Sequence, residues 1–447
     1  MRYIPNTPAQ QREMLGVIGA ASIEELLVRI PAKARLSRPL AVPAAMPETD
    51  LVGHLRRLSA VNADADDFAC FLGGGAYDHM IPSPISHLIS RGEFFTAYTP
   101  YQPEASQGTL RSIFEYQTMM AELLGMDVAN ASLYDGASSL AEAALMAHAV
   151  TGRGGIVLSN GVNPLYRQVV ETYVEGPDLR IKSAALADGV TDLDALRSAV
   201  SDQTAAVVVQ YPNFFGCLED VRAAAEISHA AGALLVAVAD PLNLGVLQPP
   251  GAMGADLVVG EGQGLGVPMS FGGPYLGVFA AKQELVRRMP GRLVGATVDL
   301  DGRRGFVLTL QTREQHIRRE KATSNICTNV ALCALMATIY VAIMGKHGMR
   351  KVGELATAKA HYAAQAFTAI AGVRLRFPAP FFKEFTLELA KPPERVVKRL
   401  ARERILAGLP LKSVGRQYRN CLLVAVTEKR TREEIDAYAA ALRAAVA

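Results

Sequence analysis

The stretch AAVVVQYPNFFGCLEDVRAAAEISHAAGALLVAVAD, residues 205–240, contains two apolar runs separated by a helical pattern. The runs at 205–212 and 233–240 are short, rich in valine and almost free of polar residues, which is typical of strands buried on both faces. The segment 220–232 between them has helical periodicity and ends at Gly232, a residue suited to the end of a helix. A strand, a helix and a second strand predict one unit of a parallel sheet.

The same pattern continues in both directions along the chain. Short apolar runs recur at GGIVLSN (154–160), DLVVG (256–260) and YLGVFAA (275–281), and DLDALRSAVS (192–201) has a helical pattern. Strands that alternate with helices predict an α/β fold with a mostly parallel, doubly wound sheet.

Smaller structures are predicted on either side of a large α/β domain at residues 61–329. Residues 1–60 contain helical patterns, one of them with a capping box formed by Ser22 and Glu25, and predict an N-terminal helical arm. Residues 330–447 begin with the apolar run VALCALMATIYVAIMG and continue with helical and strand patterns. They predict a linker helix, buried rather than membrane-spanning, and a small α+β domain.

Composition excludes several classes of protein. The chain has 447 residues, a hydrophobic fraction of 50%, a charged fraction of 20% and a formal net charge of +3. This balance is typical of a globular protein and gives no reason to expect a nucleic-acid partner. The five cysteines form no C-x-x-C pair, which argues against a zinc site and suits a reducing compartment. Because the N-terminus has no signal-peptide pattern, we expect a cytoplasmic protein. The cysteine spacing leads us to expect no metal.

A glycine turn leads into a helix at YDGASSLAEAALMAHAV, residues 134–150. The amide groups after Gly136, at Ala137 and beyond, together with the hydroxyl of Ser138, predict an anion site at the helix N-terminus. An ordinary helix cap, in which Asp135 or Ser138 satisfies the first turn, explains the same residues. Both interpretations remain open at this stage.

A second candidate position follows the strand predicted at 233–240. Asp240 lies at its carboxyl end, where ligands bind in open parallel sheets, although a turn former that caps the loop would explain it as well. The next strand leads into Gly-Glu-Gly-Gln at 260–263, and the first lysine after Ala239 is Lys282.

Two polar segments are candidate binding surfaces. Residues 92–117, GEFFTAYTPYQPEASQGTLRSIFEYQ, are dense in tyrosine, glutamine and threonine, and their prolines exclude a long helix before residue 104. Residues 316–329, HIRREKATSNICTN, join basic residues to a Thr-Ser-Asn-Thr cluster. The structural alternatives are a loop that packs its own rings and a solvated basic helix.

Several long motifs resemble the glycine cleavage system P-protein family. They lie within residues 74–147, at QYPNFFGCLED (210–220), at SFGGPYLG (270–277) and at RREKATSNICTN (318–329). The opening YIPNTPAQQREMLGVIGAASIEELLVRIP is similar to the start of the α, or first, subunit in organisms that split this protein in two. The resemblance covers essentially the whole chain.

This resemblance implies the fold type I architecture of enzymes that use pyridoxal phosphate (PLP). It also implies an α and a β chain of that fold, with the cofactor lysine on the β chain. In the β-type motif an acid follows a strand, and a His-Lys pair precedes a glycine-rich turn. Asp240 matches the acid, residues 272–277 match the turn, and Gln263 falls at or near the lysine. The implied result is a vestigial cofactor pocket, without covalent PLP, that comprises Gly136, Ala137, Ser138, Asp240 and Gln263.

The implied reaction is the decarboxylation of glycine on PLP, with transfer of the aminomethyl group to the lipoyl arm of the H-protein. Because fold type I sites commonly borrow loops across an interface, we expect this chain to complete the active site of a β subunit, in a heterodimer or heterotetramer. The candidate donors are Tyr98, Thr99, Tyr101, Gln102, Thr323, Ser324, Asn325 and Thr328. Two alternatives remain: an independent PLP enzyme that uses Lys282 or Lys321, and a pure scaffold subunit.

Overall fold

The computed structural model describes residues 5–447, so the first four residues of the predicted N-terminal arm lie outside the described part. The chain divides into two compact units, Met1–Ala63 and Asp64–Ala447. The helices of the first unit are α1 (Pro8–Ile18), α2 (Ile23–Leu26) and α3 (Glu48–Ser59). A left-handed backbone at Gly19, with φ +78°, ends α1. Ser22 caps α2 by accepting a hydrogen bond from the Glu25 N–H at 3.3 Å, as the sequence predicts.

The second unit contains the remaining helices and the strands. Its helices are α4 (Pro84–Ile89), α5 (Gly92–Phe95), α6 (Gln107–Leu124), α7 (Gly136–Thr151), α8 (Pro164–Glu175), α9 (Leu193–Ala199), α10 (Val221–Ala230), α11 (Gln315–Arg318), α12 (Ala331–Thr368), α13 (Pro393–Ala401) and α14 (Arg432–Val446). Its strands are β1 (Ala69–Cys70), β2 (Val128–Ala129), β3 (Gly155–Ser159), β4 (Arg180–Ala184), β5 (Leu186–Ala187), β6 (Val190–Thr191), β7 (Thr204–Tyr211), β8 (Leu234–Ala239), β9 (Leu257–Glu261), β10 (Gly277–Ala281), β11 (Leu293–Val298), β12 (Arg304–Thr309), β13 (Val373–Leu375), β14 (Glu384–Leu389), β15 (Ile405–Leu406), β16 (Leu409–Pro410) and β17 (Cys421–Ala425).

A mostly parallel sheet forms the centre of the second unit, as predicted. Within the described residues it has seven strands in the order β2-β10-β9-β8-β7-β3-β4. The neighbouring strands β4, β3, β7, β8 and β9 pair in parallel, whereas β10 runs antiparallel to both of its neighbours, β9 and β2. The stretch that opened the sequence analysis forms β7, α10 and β8, and Gly232 adopts a left-handed backbone just after α10. Separate apolar clusters cover the two faces of the sheet, which explains why its strands are apolar without alternation.

A four-stranded antiparallel sheet follows near the C-terminus, in the order β13-β14-β17-β16. The ends of α12, α13 and α14 pack against it around Phe367, Phe385 and Tyr438. Helix α12 connects this core to the central one, because residues of its first half, such as Tyr340, belong to the cluster on one face of the central sheet. By length and composition alone α12 could cross a membrane, but Gly345 interrupts it and residues along its length are buried in these cores.

The C-terminal core supplies a test of the packing. Phe367 is fully buried and its ring centroid lies 4.4 Å from that of Tyr438. We expect Phe367→Ala to lower the free energy of unfolding by about 3–5 kcal/mol, because the substitution removes buried surface and leaves a cavity. The matched control is Phe271→Ala, since Phe271 is 90% exposed. Urea unfolding of both variants measures the difference, and equal effects would contradict the assignment of Phe367 to the core.

Candidate functional site

The carboxyl ends of β7, β8 and β9 meet beneath the start of β14, and a pocket lies at this junction. Its lining includes Tyr77, Tyr166, Asp240, Glu261 and Lys383. The space left between these side chains is only about 30 Å³. The pocket therefore lies where ligands bind in open α/β sheets, but it is filled by the side chains of the chain itself.

Asp240 forms an ion pair with a lysine at the floor of this pocket. One carboxylate oxygen of Asp240 accepts the N–H of Leu242 at 2.9 Å, and the other lies 2.5 Å from Lys383 Nζ. Lys383 is only 2% exposed, and it reaches Asp240 from the residue that precedes β14. The sequence separates the two residues by 143 positions, so no spacing rule would have found this pair.

The Lys383 ammonium has two further partners. It donates to His79 Nε2 at 2.9 Å and lies 3.7 Å from the centre of the Tyr77 ring, within the range of a cation–π contact. His79 Nδ1 lies 2.6 Å from Glu428 Oε2. Burial and the nearby Lys383 charge lower the pKa of His79. A neutral imidazole that donates from Nδ1 to Glu428 and accepts at Nε2 fits both contacts.

Tyr77 is held by both its side chain and its backbone. Its hydroxyl donates to Glu384 at 2.7 Å, and burial raises the pKa of Glu384 to about 6. The Gln263 side chain accepts the Tyr77 N–H at 2.8 Å and donates to the carbonyl oxygens of Tyr77 and Val267. The sequence analysis placed Gln263 in the pocket, but Gln263 is not among the residues that line it, and its amide fixes the backbone around Tyr77.

The N-terminus of α7 carries the ordinary helix cap that the sequence left as an alternative. Asp135 accepts the Ser138 N–H at 2.7 Å, and the Ser138 hydroxyl accepts the Asp135 N–H at 3.2 Å. Ala137 and Ser138 are buried in this first turn. The free amide of Gly136 donates instead to the Glu261 carboxylate at 3.0 Å. The acceptor at this helix N-terminus is therefore a side chain of the chain itself.

Glu261 is the least expected group in the pocket. Besides the Gly136 N–H, it accepts the N–H groups of Gln263 at 3.0 Å and Leu276 at 2.8 Å. Burial raises the pKa of Glu261 to about 8, although these three donors act in the opposite direction. In the sequence Glu261 lies within a Gly-Glu-Gly-Gln loop, and an acid that directly ends a buried strand was the one available signal.

Two of the eight predicted donor residues line a second, open cavity. Tyr98 is 81% exposed, and Thr323 and Ser324 are half-buried. A cavity of about 610 Å³ is lined by Tyr101 and Asn325, together with Arg292, which the sequence analysis missed. The described residues that line it do not include the other candidates: Tyr98, Thr99, Gln102, Thr323, Ser324 and Thr328.

Arg292 organises the wall of this open cavity. It is 6% exposed and donates to Thr328 Oγ1 at 3.2 Å, to Asn329 Oδ1 at 3.1 Å and to the Cys327 carbonyl at 2.8 Å. Its guanidinium lies 6.0 Å from the centre of the Tyr101 ring. The structure therefore brings Tyr101 and Thr328 to one buried cation, and Asn325 lines the same cavity as Tyr101 and Arg292.

Comparison with known proteins assigns the chain to a family. The glycine cleavage system P-protein family matches residues 1–442. The chain is 52% identical over 444 residues to a protein of Desulforamulus reducens named probable glycine dehydrogenase (decarboxylating) subunit 1, covering 99% of this chain and 100% of that protein. A crystal structure of glycine decarboxylase (P-protein) of the glycine cleavage system, in inhibitor-bound form, is 49% identical and has a TM-score of 0.90 over 100% of both chains.

A more distant structure shows the breadth of the fold. Glutamate decarboxylase of Lactobacillus brevis is 13% identical, with a TM-score of 0.69 over 93% of this chain and 95% of that one. Together these likenesses show that the chain has the fold type I architecture of PLP-dependent enzymes.

The pocket of this chain does not fit the cofactor that its fold implies. Pockets for small organic ligands usually enclose about 300 Å³ or more, whereas about 30 Å³ remains here. Asp240, which would pair with a pyridine nitrogen, already pairs with Lys383. The Glu261 carboxylate accepts the Gly136 amide, to which a phosphate would otherwise bind.

The raised pKa of Glu261 predicts a pH dependence of stability. Its pKa in the folded chain, about 8, exceeds the ordinary value of 4.5, so the folded state retains this proton over a range in which the unfolded state has lost it. The associated stabilisation is fully present below about pH 4.5 and is lost as the pH rises towards 8. Glu261→Gln cannot titrate and should remove this dependence.

Urea unfolding at about pH 5 and about pH 8 provides the measurement. We expect the free energy of unfolding of the wild type, relative to Glu261→Gln, to fall between the two pH values. Glu175→Gln is the control, because Glu175 is exposed on α8. A difference between wild type and Glu261→Gln that stays constant with pH would disprove the assignment.

Proposed function

Because the chain belongs to the glycine cleavage system P-protein family, we propose that it is the first subunit of a glycine dehydrogenase (decarboxylating). With a second, lysine-bearing subunit it would decarboxylate glycine on PLP and pass the aminomethyl group to the lipoyl arm of an H-protein. The names of its relatives as subunit 1 support the existence of a second subunit. The proposed compartment is the cytoplasm.

The closed pocket is the observation that supports this division of labour. With Gln263 near the position of the lysine, and with Lys383 and Glu261 filling the pocket, no covalent PLP belongs to this chain. PLP supplies an electron sink for the carbanion left by loss of carbon dioxide, and we assign it to the partner. The residues of this chain would instead shape and assemble the partner's site.

The open cavity around Arg292 is the proposed contribution to that site. Its wall includes the Tyr101 ring and the exposed Asn325, and Arg292 contacts the Tyr101 ring and donates to the nearby Thr328 hydroxyl. Tyr98 extends outwards from the same polar segment as Tyr101. Such groups can orient a substrate and donate hydrogen bonds to charge that develops during reaction, which makes them candidates for rate effects across an interface.

Unpartnered apolar residues in the first unit also support an assembly. None of its described residues, 5–63, is buried within the chain. Its exposed large apolar side chains include Val17, Val28, Leu40 and Val61. Because exposed apolar surface of this kind marks contact sites between proteins, we assign this unit to contact with the second subunit.

The alternative of an independent PLP enzyme is disfavoured by the positions of its two lysines. Lys282 follows β10 and pairs with Asp256 at 2.5 Å, and Asp256 directly precedes β9. This pair lies at the amino ends of the parallel strands, at the opposite edge from Asp240. Lys321 is exposed, in a turn of the 316–329 segment rather than in the pocket.

The first prediction concerns the cofactor. We expect the purified chain mixed with PLP to show no visible Schiff-base band and no label after borohydride reduction, because the pocket is filled and its one lysine, Lys383, is buried in an ion pair with Asp240. The assembly with the second subunit should show both, with the label on the partner. Peptide mapping after reduction is the measurement, and a label on Lys282 or Lys321 would contradict the proposal.

The second prediction separates active-site donors from a pure scaffold. Tyr98→Phe and Thr323→Ala should lower the turnover of an intact assembly, because loss of one hydrogen-bond donor that acts on developing charge can raise the barrier by about 2–4 kcal/mol. Glycine–bicarbonate exchange measures turnover, and gel filtration checks assembly. The controls are Thr172→Ala, at an exposed threonine of α8, and Tyr362→Phe, at a half-buried tyrosine of α12 that donates to Asp436. Full activity of both test variants in an intact assembly would leave the chain as a scaffold.

A further inference from the structure

Lys383 and Glu384, at the start of β14, enter the pocket beside Asp240 and pack closely against the backbone of Gly216 and Gly73. A Cβ atom placed on Gly216 would lie 2.0 Å from the Glu384 carbonyl oxygen, and one on Gly73 would lie 2.2 Å from the Glu384 carboxylate. Glu384 also accepts the Gly74 N–H at 2.7 Å. Glycines on the central side thus allow residues 383–384 to enter the pocket at close contact.

We infer that Lys383 and Glu261 occupy, from within the chain, the positions of the positive and negative ends of a pyridine–phosphate ligand, and that the pocket now joins the C-terminal sheet to the central sheet. This inference concerns the residues of this chain alone and does not depend on the proposed glycine chemistry. It also extends beyond the missing lysine, because a filled pocket excludes a non-covalent ligand as well.

The positive end is the Lys383 ammonium. Its three hydrogen-bond and ring partners, namely Asp240, His79 and Tyr77, all belong to the part of the chain before residue 241, whereas Lys383 precedes β14. The cation therefore bridges two sheets and neutralises an acid that would otherwise be buried without a counter-charge. A ligand cation at Asp240 would have to displace Lys383 into surroundings without another carboxylate as close.

The position of the negative end is taken by the Glu261 carboxyl group. It accepts N–H groups from three separate places: the N-terminus of α7, the loop after β9 and the residue before β10. These are the kinds of donor that bind a phosphate at a helix N-terminus. A phosphate at Gly136 would have to displace this side chain, which already accepts the Gly136 N–H at 3.0 Å.

A lysine at position 263 alone would not restore the site. The Gln263 side chain points towards the carbonyl oxygens of Tyr77 and Val267, at 3.2 and 2.8 Å, and it is not among the residues that line the remaining cavity. The obstacle to binding is the filled space between Lys383 and Glu261 rather than the absence of one amine.

The first experiment is a double-mutant cycle on Lys383 and Asp240, read as the melting temperature of the full chain. We expect Lys383→Met to lower the melting temperature by roughly 5 °C or more, because Asp240 is left buried without its cation. Adding Asp240→Asn should restore at least half of this loss. Lys391→Ala, at an exposed lysine, is the control and should have little effect. Purely additive effects of the two substitutions on the melting temperature would contradict the inferred coupling between Lys383 and Asp240.

Chemical rescue provides a second readout with a defined probe. In Lys383→Ala, methylammonium chloride should raise the melting temperature more than sodium chloride at the same ionic strength, because the small cation can occupy the vacated position beside Asp240. This difference should vanish in Asp240→Asn/Lys383→Ala. Equal effects of the two salts on Lys383→Ala would contradict the assignment of a specific cation position.

The third experiment tests closure directly. Pyridoxine 5′-phosphate, which needs no lysine, should show no saturable binding by calorimetry to the full chain purified without its partner. Gln263→Lys mixed with PLP should gain no visible band and no borohydride-stable label at position 263. Saturable binding to the wild type, or covalent PLP at position 263, would show that the pocket is open and would overturn the inference.

Discussion

The buried ion pair between Lys383 and Asp240 is the interaction on which the arrangement of the second unit depends. The Lys383 side chain is 2% exposed and that of Asp240 15%, so Lys383 would be costly without its partner, and the remaining donors and acceptors of the pair are satisfied. The partners lie on different sheets. The relative position of those sheets is therefore coupled to the neutralisation of a single carboxylate.

The network around this pair extends the same constraint. His79 is hydrogen-bonded both to Lys383 and to Glu428, which lies beyond β17. The Tyr77 hydroxyl donates to Glu384 on β14. Both links therefore join the segment before α4 to the C-terminal sheet. In PLP-dependent enzymes of this fold the cofactor occupies this pocket. In this chain the side chains of Lys383, Asp240 and Glu261 fill it, and the pocket contributes to stability instead of catalysis.

The family assignment and the closed pocket support one division of function. The chain has the fold and the family motifs of glycine decarboxylase, yet its own pocket has no room for the cofactor of that fold. What the described residues present instead is surface: the cavity lined by Arg292 and Tyr101, and the exposed apolar side chains of the first unit. We propose that these surfaces act in an assembly with a second subunit.

The sequence by itself determined the α/β class, the parallel strands and the absence of a lysine near position 263, and it offered the cap of α7 as one of two interpretations. These features are local, since they follow from apolar runs, helix periodicity and the identity of single residues. The tertiary structure alone decided what fills the pocket. Lys383 meets Asp240 across 143 positions, Glu261 meets Gly136 across 125, and Arg292 meets Thr328 across 36. Such pairs depend on how the sheets are stacked, and no local pattern in the sequence encodes that stacking.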